Sequence, residues 1–360
     1  MKRVYIFILM LVFLVTFSLS ITALELTARS LGMGGTFTGV ANDITTVIYN
    51  PAGINQVGSM GVNVDGGVRV SNIKELGSII ELISELEPGM DLDDLDKIKE
   101  LEENLPEDFK FNSQLFAAGN FRNLGLSLKL DNNVFVEDDK QMDMKNTLSG
   151  IFTYGNEIVA PFLNLGTIAY GVNLKAMGTT YDKYRFEFDA ENPDDDLINS
   201  ARAQGIGYGI DAGLLMKFTN LIQVGVQARD LYTPEYQLTV ENGNDSEGFD
   251  FNPVVSEPVL RTGAAVTIPV LNARLAADID NIVLTGIDEQ NFIYHFGIEK
   301  HMFFNLLALR AGYIEEDEDT QFYTAGLGIN FLTAEVNAAI AADSSLGEDY
   351  MLLLSGKIQF

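Results

Sequence analysis

The sequence predicts an all-β fold, a transmembrane antiparallel β-barrel of about 14 strands with an N-terminal hatch in its lumen and a short helical external insertion. Three observations predict it. Apolar residues recur at every second position from about Met60 to the end of the chain, short connections alternate with long ones, and the chain closes on an amphipathic strand that ends at Phe360. We therefore expect a signal peptide at 1–23, a hatch at 24–59 and the barrel at 60–360.

Composition and charge exclude several classes of protein. The chain of 360 residues has no Cys, 33 Gly and a net charge of −28. A disulfide-stapled or zinc-thiolate protein is excluded, and nucleic acid would be repelled at long range. The only histidines are His295 and His301, too few for a histidine-rich metal site. We expect no metal, no cofactor and no nucleic-acid partner.

The first residues read as a secretory signal. Met1-Lys2-Arg3 gives a positive start, the stretch from Val4 to Ile21 is almost wholly apolar, and Ala23 supplies a small residue at a plausible cleavage point. The apolar stretch is also long enough to span a bilayer, so an uncleaved anchor is the alternative. With the barrel pattern that follows, the segment predicts export to the cell outer membrane.

The strands are recognised by period-two alternation. Ala273, Leu275, Ala277 and Ile279 share one face of a strand, while the residues between them share the other. Such a strand has one side that requires lipid or core. The same pattern marks fourteen segments, at 60–71, 113–120, 124–136, 144–160, 165–177, 203–218, 221–230, 259–268, 272–280, 291–300, 305–314, 320–331, 333–343 and 349–360.

The connections between these segments alternate in length. Short joins such as 121–123 and 301–304 separate long or polar ones such as 178–202 and 231–258. This asymmetry is typical of a transmembrane barrel, with turns on one rim and surface loops on the other. The alternative all-β interpretation is a pair of secreted sandwiches. Strands of ten or more residues favour the barrel, since crossing a bilayer takes about 9 to 11 residues.

The external insertion at 72–112 carries apolar residues at helical spacing. Two short amphipathic helices separated by Pro88-Gly89 are expected there, with their acidic residues on a solvated face. A solvated loop should not expose this much apolar area unless something covers it. We take the first helix as the candidate entry for an apolar ligand, at Leu76, Ile79, Ile80, Ile83 and Leu86.

Charged residues of both signs are predicted to face the lumen. A charge facing lipid near the midplane costs about 2 to 4 kcal/mol, so these residues must point inward, where ion pairs would hold the hatch and cross-link the wall. The main set is Asp211, Arg229, Arg261, Arg274, Asp278, Glu299 and Arg310, and the same alternation places Lys129, Lys175, Lys217, Glu335 and Lys357 inward. A lipid hydrolase built on His295 and Ser127 has no spacing to support it, and we expect no enzyme activity.

The segment between the signal and the first strand is neither a strand series nor a good helix. Its glycines let backbone pass close to other backbone, and Asn50-Pro51 fixes a turn. It is not a phosphate loop, since no Lys-Ser/Thr pair follows the glycines. Its motif resembles the N-terminal hatch of the FadL superfamily of outer-membrane hydrophobic-compound transporters. The match falls on Gly32, Gly34, Gly35, Ala41, Asn42, Asp43, Asn50, Pro51, Ala52 and Gly53.

Within that superfamily, the patterns Leu307 to Tyr313 and Tyr323 to Gly328 are similar to the PorV-like and TraF-like branch. The resemblance implies passive uptake of hydrophobic, fatty-acid-like small molecules. For the PorV-like branch it implies the alternative, a docking or assembly platform for exported proteins without transport. Asp131-Asn132-Asn133 interrupts the alternation of the third strand, which indicates either a strand end or an inward kink with a lateral opening.

Overall fold

The computed structural model describes thirteen parts of the chain, namely 26–71, 109–136, 141–159, 166–186, 198–218, 221–233, 237–241, 251, 254, 257–283, 291–317, 320–344 and 349–360. The predicted signal peptide at 1–23 and the candidate entry residues Leu76, Ile79, Ile80, Ile83 and Leu86 lie outside these ranges.

Fourteen long strands form a closed antiparallel barrel, as the alternation predicts. Each long strand pairs with the next long strand in the chain, so β7 pairs directly with β9. β1 pairs with β15 to close the ring. The strands are β1 Met60–Ser71, β2 Lys110–Phe121, β3 Leu124–Val136, β4 Gln141–Val159, β5 Thr167–Phe186, β6 Ile198–Lys217, β7 Ile222–Tyr232, β8 Thr239–Glu241, β9 Val259–Ile268, β10 Ala273–Val283, β11 Ile293–Met302, β12 Leu307–Glu315, β13 Gln321–Phe331, β14 Ala334–Asp343 and β15 Tyr350–Gln359.

Alternation along each strand separates an apolar outer face from a polar lumen face. On β3, Leu126 and Leu128 are 65% and 57% exposed, whereas Ser127 between them is 1% exposed. The barrel is thus the reverse of a soluble protein, with its large apolar side chains outside and its buried polar groups inside. This distribution is the one required where the surrounding solvent is lipid.

The sequence missed one strand and underestimated several others. The fifteenth strand, β8, has only three residues and pairs with the outer part of β6. β4, β5 and β6 extend beyond the predicted bounds, with lengths of 19, 20 and 20 residues. Their outer parts are polar on both faces and show no alternation, because polar pairs such as Thr147 and Thr179 line the ladder there.

The alternation of connection length holds with one exception. The connection 137–140 between β3 and β4 is shorter than 160–166 between β4 and β5. The predicted strands leave 137–143 and 161–164 as these two connections, so the first was expected to be the longer. The elongated β4 consumes residues that the sequence assigns to a loop. The predicted insertion 72–112 is likewise too long at its end, because β2 begins at Lys110.

The third strand neither ends nor kinks at Asp131-Asn132-Asn133. β3 pairs residue by residue with both β2 and β4 through this stretch, and the register shows no shift. The three polar side chains are all buried. Both sequence interpretations of this stretch, a strand end and a lateral opening, are therefore wrong. Register shifts occur instead in the β6–β7 and β9–β10 pairs.

The N-terminal segment, here residues 26–59, contains more helix than the sequence indicates. It forms α1 Ala28–Gly32, α2 Thr46–Tyr49 and a 3₁₀ helix at Pro51–Gln56. Within the described ranges, no helix is both long and apolar enough to cross a membrane.

Candidate functional site

The N-terminal segment is buried against the inner wall of the barrel. Leu31, Phe37 and Tyr49 have no exposed surface, and the segment shares its apolar core with inward side chains of the wall such as Phe116 and Phe322. α1 contacts β12 to β15 and β1, while the 3₁₀ helix contacts β4, β5 and β6. The segment therefore crosses the lumen from one side of the wall to the other.

Polar side chains from strands all around the wall hold the backbone of the segment. Asp65 of β1 accepts a hydrogen bond from Ala28 N at 2.9 Å. Asn173 of β5 donates to Val47 O at 2.8 Å. Further contacts come from Gln114 and Asn120 to Leu26 O and Gly58 O, Gln227 to Ile48 O, Arg261 to Gly35 O, and Thr324 with Gly34 N. Because main-chain groups are the targets, this part of the anchoring depends on the path of the segment's backbone rather than on its side chains.

Arg29 is the strongest side-chain link between the segment and the wall. Its Nε and Nη2 donate to the two oxygens of Glu299 at 2.9 and 2.8 Å, and its Nη1 donates to Asn42 and Asp43. Arg310 also donates to Glu299 at 2.8 Å. A bidentate arginine–carboxylate pair in a water-poor interior is strong and directional. No sequence pattern marks Arg29 as an anchor, because it is a lone charge in a Gly- and Ala-rich stretch.

Asp43 completes this cluster on the segment side. Burial acts to raise the pKa of the Asp43 carboxyl, but Lys357 and Arg29 outweigh it and hold that pKa well below its usual range. The Asp43 carboxylate also accepts from Thr45 N and Oγ1. Lys357 in turn pairs with Glu335 at 2.6 Å. The cluster therefore stays charged and joins α1 to β11, β12, β14 and β15.

A second anchor lies on β10. Oδ2 of Asp278 accepts from the backbone amides of Phe37 and Thr38 at 2.9 and 2.8 Å. Arg261 lies near it and pairs with Asp280 at 3.4 Å. His295 on β11 faces the same region, with its Nδ1 2.8 Å from Gly34 O. These inward groups grip the turn between α1 and α2.

The predicted lumen charges are distributed over three inner clusters. Glu299 gathers Arg310 and, at 3.9 Å, Arg274. Asp280 and Asp278 gather Arg261, with Arg229 at 3.8 Å from Asp280. Asp211 pairs with Lys175 at 2.7 Å and stays apart from the other two clusters. Lys129 pairs with Asp131 at 3.0 Å.

The predicted residues of the N-terminal segment all lie in the lumen, where backbone approaches backbone. Gly34 and Gly35 adopt left-handed conformations, with φ of 64° and 80°. A Cβ on Gly32 would lie 2.9 Å from Cα of Gly326 on β13. Asn50 donates to Leu214 O at 2.9 Å. Pro51 backs onto Gly171, Ala41 and Ala52 pack with Ala169 and Leu215, Gly53 lies against Thr46, and Asn42 and Asp43 contact Arg29.

The described residues neither form a group that could hold a metal ion nor bring His295 and Ser127 together. Among the described residues, no group of three His, Asp or Glu side chains is placed to hold a metal ion. His295 and Ser127 lie on β11 and β3, which are not neighbours in the barrel. The contacts of the His295 ring are Gly34 O and Arg261.

The comparisons with known proteins identify the fold. No protein-family model matches the sequence, and no curated protein matches it by sequence. Among solved structures, it is similar to the Ralstonia pickettii toluene transporter TbuX, with a TM-score of 0.56 and 11% identity over 93% of this chain and 98% of that one. The monoaromatic hydrocarbon channel CymD gives 0.58 and 12%, over 95% and 99%.

A Pseudomonas aeruginosa FadL homologue is also similar, with a TM-score of 0.55 and 10% identity over 96% of this chain and all of that one, 100%. These three structures are of two hydrocarbon transporters and a FadL homologue, and none is described as a PorV-like or TraF-like protein. At such low identity the likeness speaks for the fold, and this chain has the barrel fold of the hydrocarbon transporters and the FadL homologue.

Proposed function

We propose that the protein is an outer-membrane channel for passive uptake of hydrophobic small molecules, and that the N-terminal segment is a hatch that closes its lumen. The observation that carries the proposal is the buried segment itself, held across the lumen by polar groups of the wall. The similar structures include a toluene transporter and a monoaromatic hydrocarbon channel, which supports candidate substrates of that size.

The hatch contacts support closure that can be reversed. Many of them are hydrogen bonds to its backbone, for example at Gly34 and Gly35, and others are ion pairs such as that of Arg29 with Glu299. Each of these contacts can be replaced by a hydrogen bond to water without breaking the others, whereas the hydrogen bonds between the wall strands form a continuous ladder. A ligand that contacts the displaced hatch better than the closed one would shift the population towards the open form.

The site residues have two roles in this proposal. The lumen charges act as hatch anchors and wall cross-links, and the ligand enters from the external insertion at Leu76, Ile79, Ile80, Ile83 and Leu86. The partners are outer-membrane lipid and the hydrophobic ligand. The alternative of a docking platform for exported proteins has no observation in its favour among the described residues.

The test is uptake by cells that produce the protein and lack other hydrocarbon channels. Radiolabelled toluene and oleate are the two apolar probes, and glucose is the polar one. We expect faster uptake of at least one apolar probe than in cells with an empty vector, and no change for glucose. Equal uptake of both apolar probes with and without the protein would contradict the proposal.

A further inference from the structure

The outer face of β9 to β12 carries an open groove in the apolar wall. Its volume is about 570 Å³, within the range of about 300 to 1,000 Å³ that small-molecule sites occupy. Small outward residues form its floor, at Ala264, Ala277 and Ala311, and Phe296 and Ile298 stand along it. The groove faces outward, since Phe296 and Ile298 are 50% and 41% exposed.

A single cation stands at one end of this groove. Lys300 is exposed, lies on the outward face of β11 two residues beyond Ile298, and pairs across the sheet with Leu309, also outward. No ion pair or hydrogen bond joins its side chain to the part of the chain that the structure describes. In the half of the described strands next to the short connections, it is the one charged side chain that faces outward.

The other outward charges lie elsewhere and are engaged. Asp182 and Arg202 pair with each other at 2.5 Å near the long-connection end, and Glu315 ends β12 at that same end, where it accepts from Tyr313. In a chain with a net charge of −28, an unpaired outward lysine is an exception. A lysine is strongly destabilising at the membrane midplane but tolerated near the interface, so Lys300 marks the headgroup level.

The turn after β11 supports that level independently. Phe303 and Phe304 are 65% and 105% exposed, and both have left-handed backbone, with φ of 50° and 56°. Bulky residues are disfavoured in that conformation, and large apolar side chains are disfavoured in water. The exposure of the two phenylalanines is accounted for where the turn sits among lipid headgroups, in which aromatic residues concentrate.

We propose that this groove is a binding site for one anionic phospholipid, with the acyl chain along the groove and the headgroup phosphate on Lys300. Four residues separate Lys300 from Phe296, or about 13 Å at the rise of a strand. That is close to half of the hydrocarbon core, which is about 30 Å thick. In an outer membrane, the short connections lie next to the leaflet that contains phospholipid. The inference therefore rests on the proposed outer-membrane location, and it concerns lipid binding rather than uptake.

The experiment is native mass spectrometry of the purified full chain with added phosphatidylglycerol or phosphatidylethanolamine of the same acyl chains. Lys300→Gln removes the charge, and Ala311→Phe fills the groove. Arg122→Gln is the control for charge, because Arg122 lies on the short β2–β3 turn across the barrel. Gly356→Phe is the control for bulk, because a Cβ there meets nothing within 4 Å.

We expect wild type and both controls to retain one phosphatidylglycerol and to bind phosphatidylethanolamine less. Lys300→Gln and Ala311→Phe should each weaken phosphatidylglycerol binding by about fivefold. Heat-modifiable migration of every variant on gels confirms that the barrel is folded. Unchanged binding in both variants, equal binding of the two lipids, or a wild-type dimer that Ala311→Phe dissociates would overturn the proposal. Uptake of toluene by the same variants is measured separately. A variant that loses lipid binding but takes up toluene normally shows that the lipid site and the transport proposal are tested independently.

Discussion

The guanidinium of Arg29 donates two parallel hydrogen bonds to the carboxylate of Glu299. Its Nε donates to Oε1 at 2.9 Å and its Nη2 donates to Oε2 at 2.8 Å. The two residues are 270 positions apart in the chain, and both are buried. One belongs to the N-terminal segment and the other to the wall. This pair directly links a buried charge of the barrel wall to the N-terminal segment that fills the lumen.

Removing Arg29 should loosen the hatch. Arg29→Gln deletes the bidentate pair and the contact with Asp43, and we expect the docking of the segment to weaken by about 3 kcal/mol, near the low end for a broken buried pair because Arg310 and Lys357 still neutralise the carboxylates. Hydrogen exchange of the peptide 26–59 should accelerate, while that of the strands should not. The surface variant Arg122→Gln is the control. Protection equal to wild type in Arg29→Gln would show that the pair does not hold the segment.

Adding a side chain where the segment meets the wall should expel it. A Cβ on Gly297 of β11 would overlap the carbonyl oxygen of Met33, so we expect Gly297→Val to cost at least about 1 to 3 kcal/mol through overpacking. Gly356→Val places the same side chain in open space on the outer face of β15. Thermal unfolding followed by circular dichroism should show a lower midpoint for the first variant only. Equal midpoints would mean that the close approach is unimportant.

The contribution of Asp43 should depend on pH in the acid range. Its pKa is lower in the folded chain than in the unfolded one, so its stabilisation is complete above the unfolded value of about 3.9 and declines as the pH falls below it. Asp43→Asn should therefore reduce the unfolding midpoint at pH 7 and pH 5 alike, and by progressively less below pH 4. A difference between the two proteins that grows towards acid would contradict this assignment.

The barrel should be oriented with its long connections outside the cell. A protease site inserted after Asp317, in the β12–β13 connection, should be cut on intact cells, and so should sites placed at Asp195 and Asn244. Sites at Pro269 and at Asn220, on the opposite rim, should be cut only after the outer membrane is opened. Immunoblotting of the fragments distinguishes the two cases, and the reverse pattern would invert the barrel.

The sequence predicted the wall well because lipid imposes a simple rule on it. Alternation places Arg261, Asp278 and Glu299 inward for the same reason that it places Phe296 and Ile298 outward, and both sets lie where expected. Outside the lipid zone the rule lapses. The outer parts of β4 to β6 and the three residues of β8 were therefore missed, since a ladder there needs no apolar face.

The pairing of the segment with the wall was beyond reach for a different reason. The glycines of the segment signal close packing, but nothing local says which strand they meet, and Arg29 carries no periodic pattern that would mark it as an anchor. The partner of Arg29 is fixed by barrel closure, which brings β11 next to a residue near the start of the chain. Side-chain geometry across such a separation is a property of the assembled ring.

The central claim is that the segment must move for a hydrophobic molecule to pass. A Cβ on Gly125 of β3 lies 3.2 Å from Cγ1 of Val47 in α2. The double variant Val47→Cys, Gly125→Cys therefore allows a disulfide with little backbone movement, in a chain with no other Cys. The single-Cys variants are the controls for the substitutions themselves, and dithiothreitol is the control for the bond.

The most direct measurement is uptake of radiolabelled toluene and oleate by cells that carry the oxidised double variant. We predict that uptake falls to the level of the empty vector when the bond is formed, returns on reduction with dithiothreitol, and is normal in both single variants. The locked barrel should remain heat-modifiable on gels. Wild-type rates of uptake in the fully oxidised, correctly folded double variant would contradict the claim.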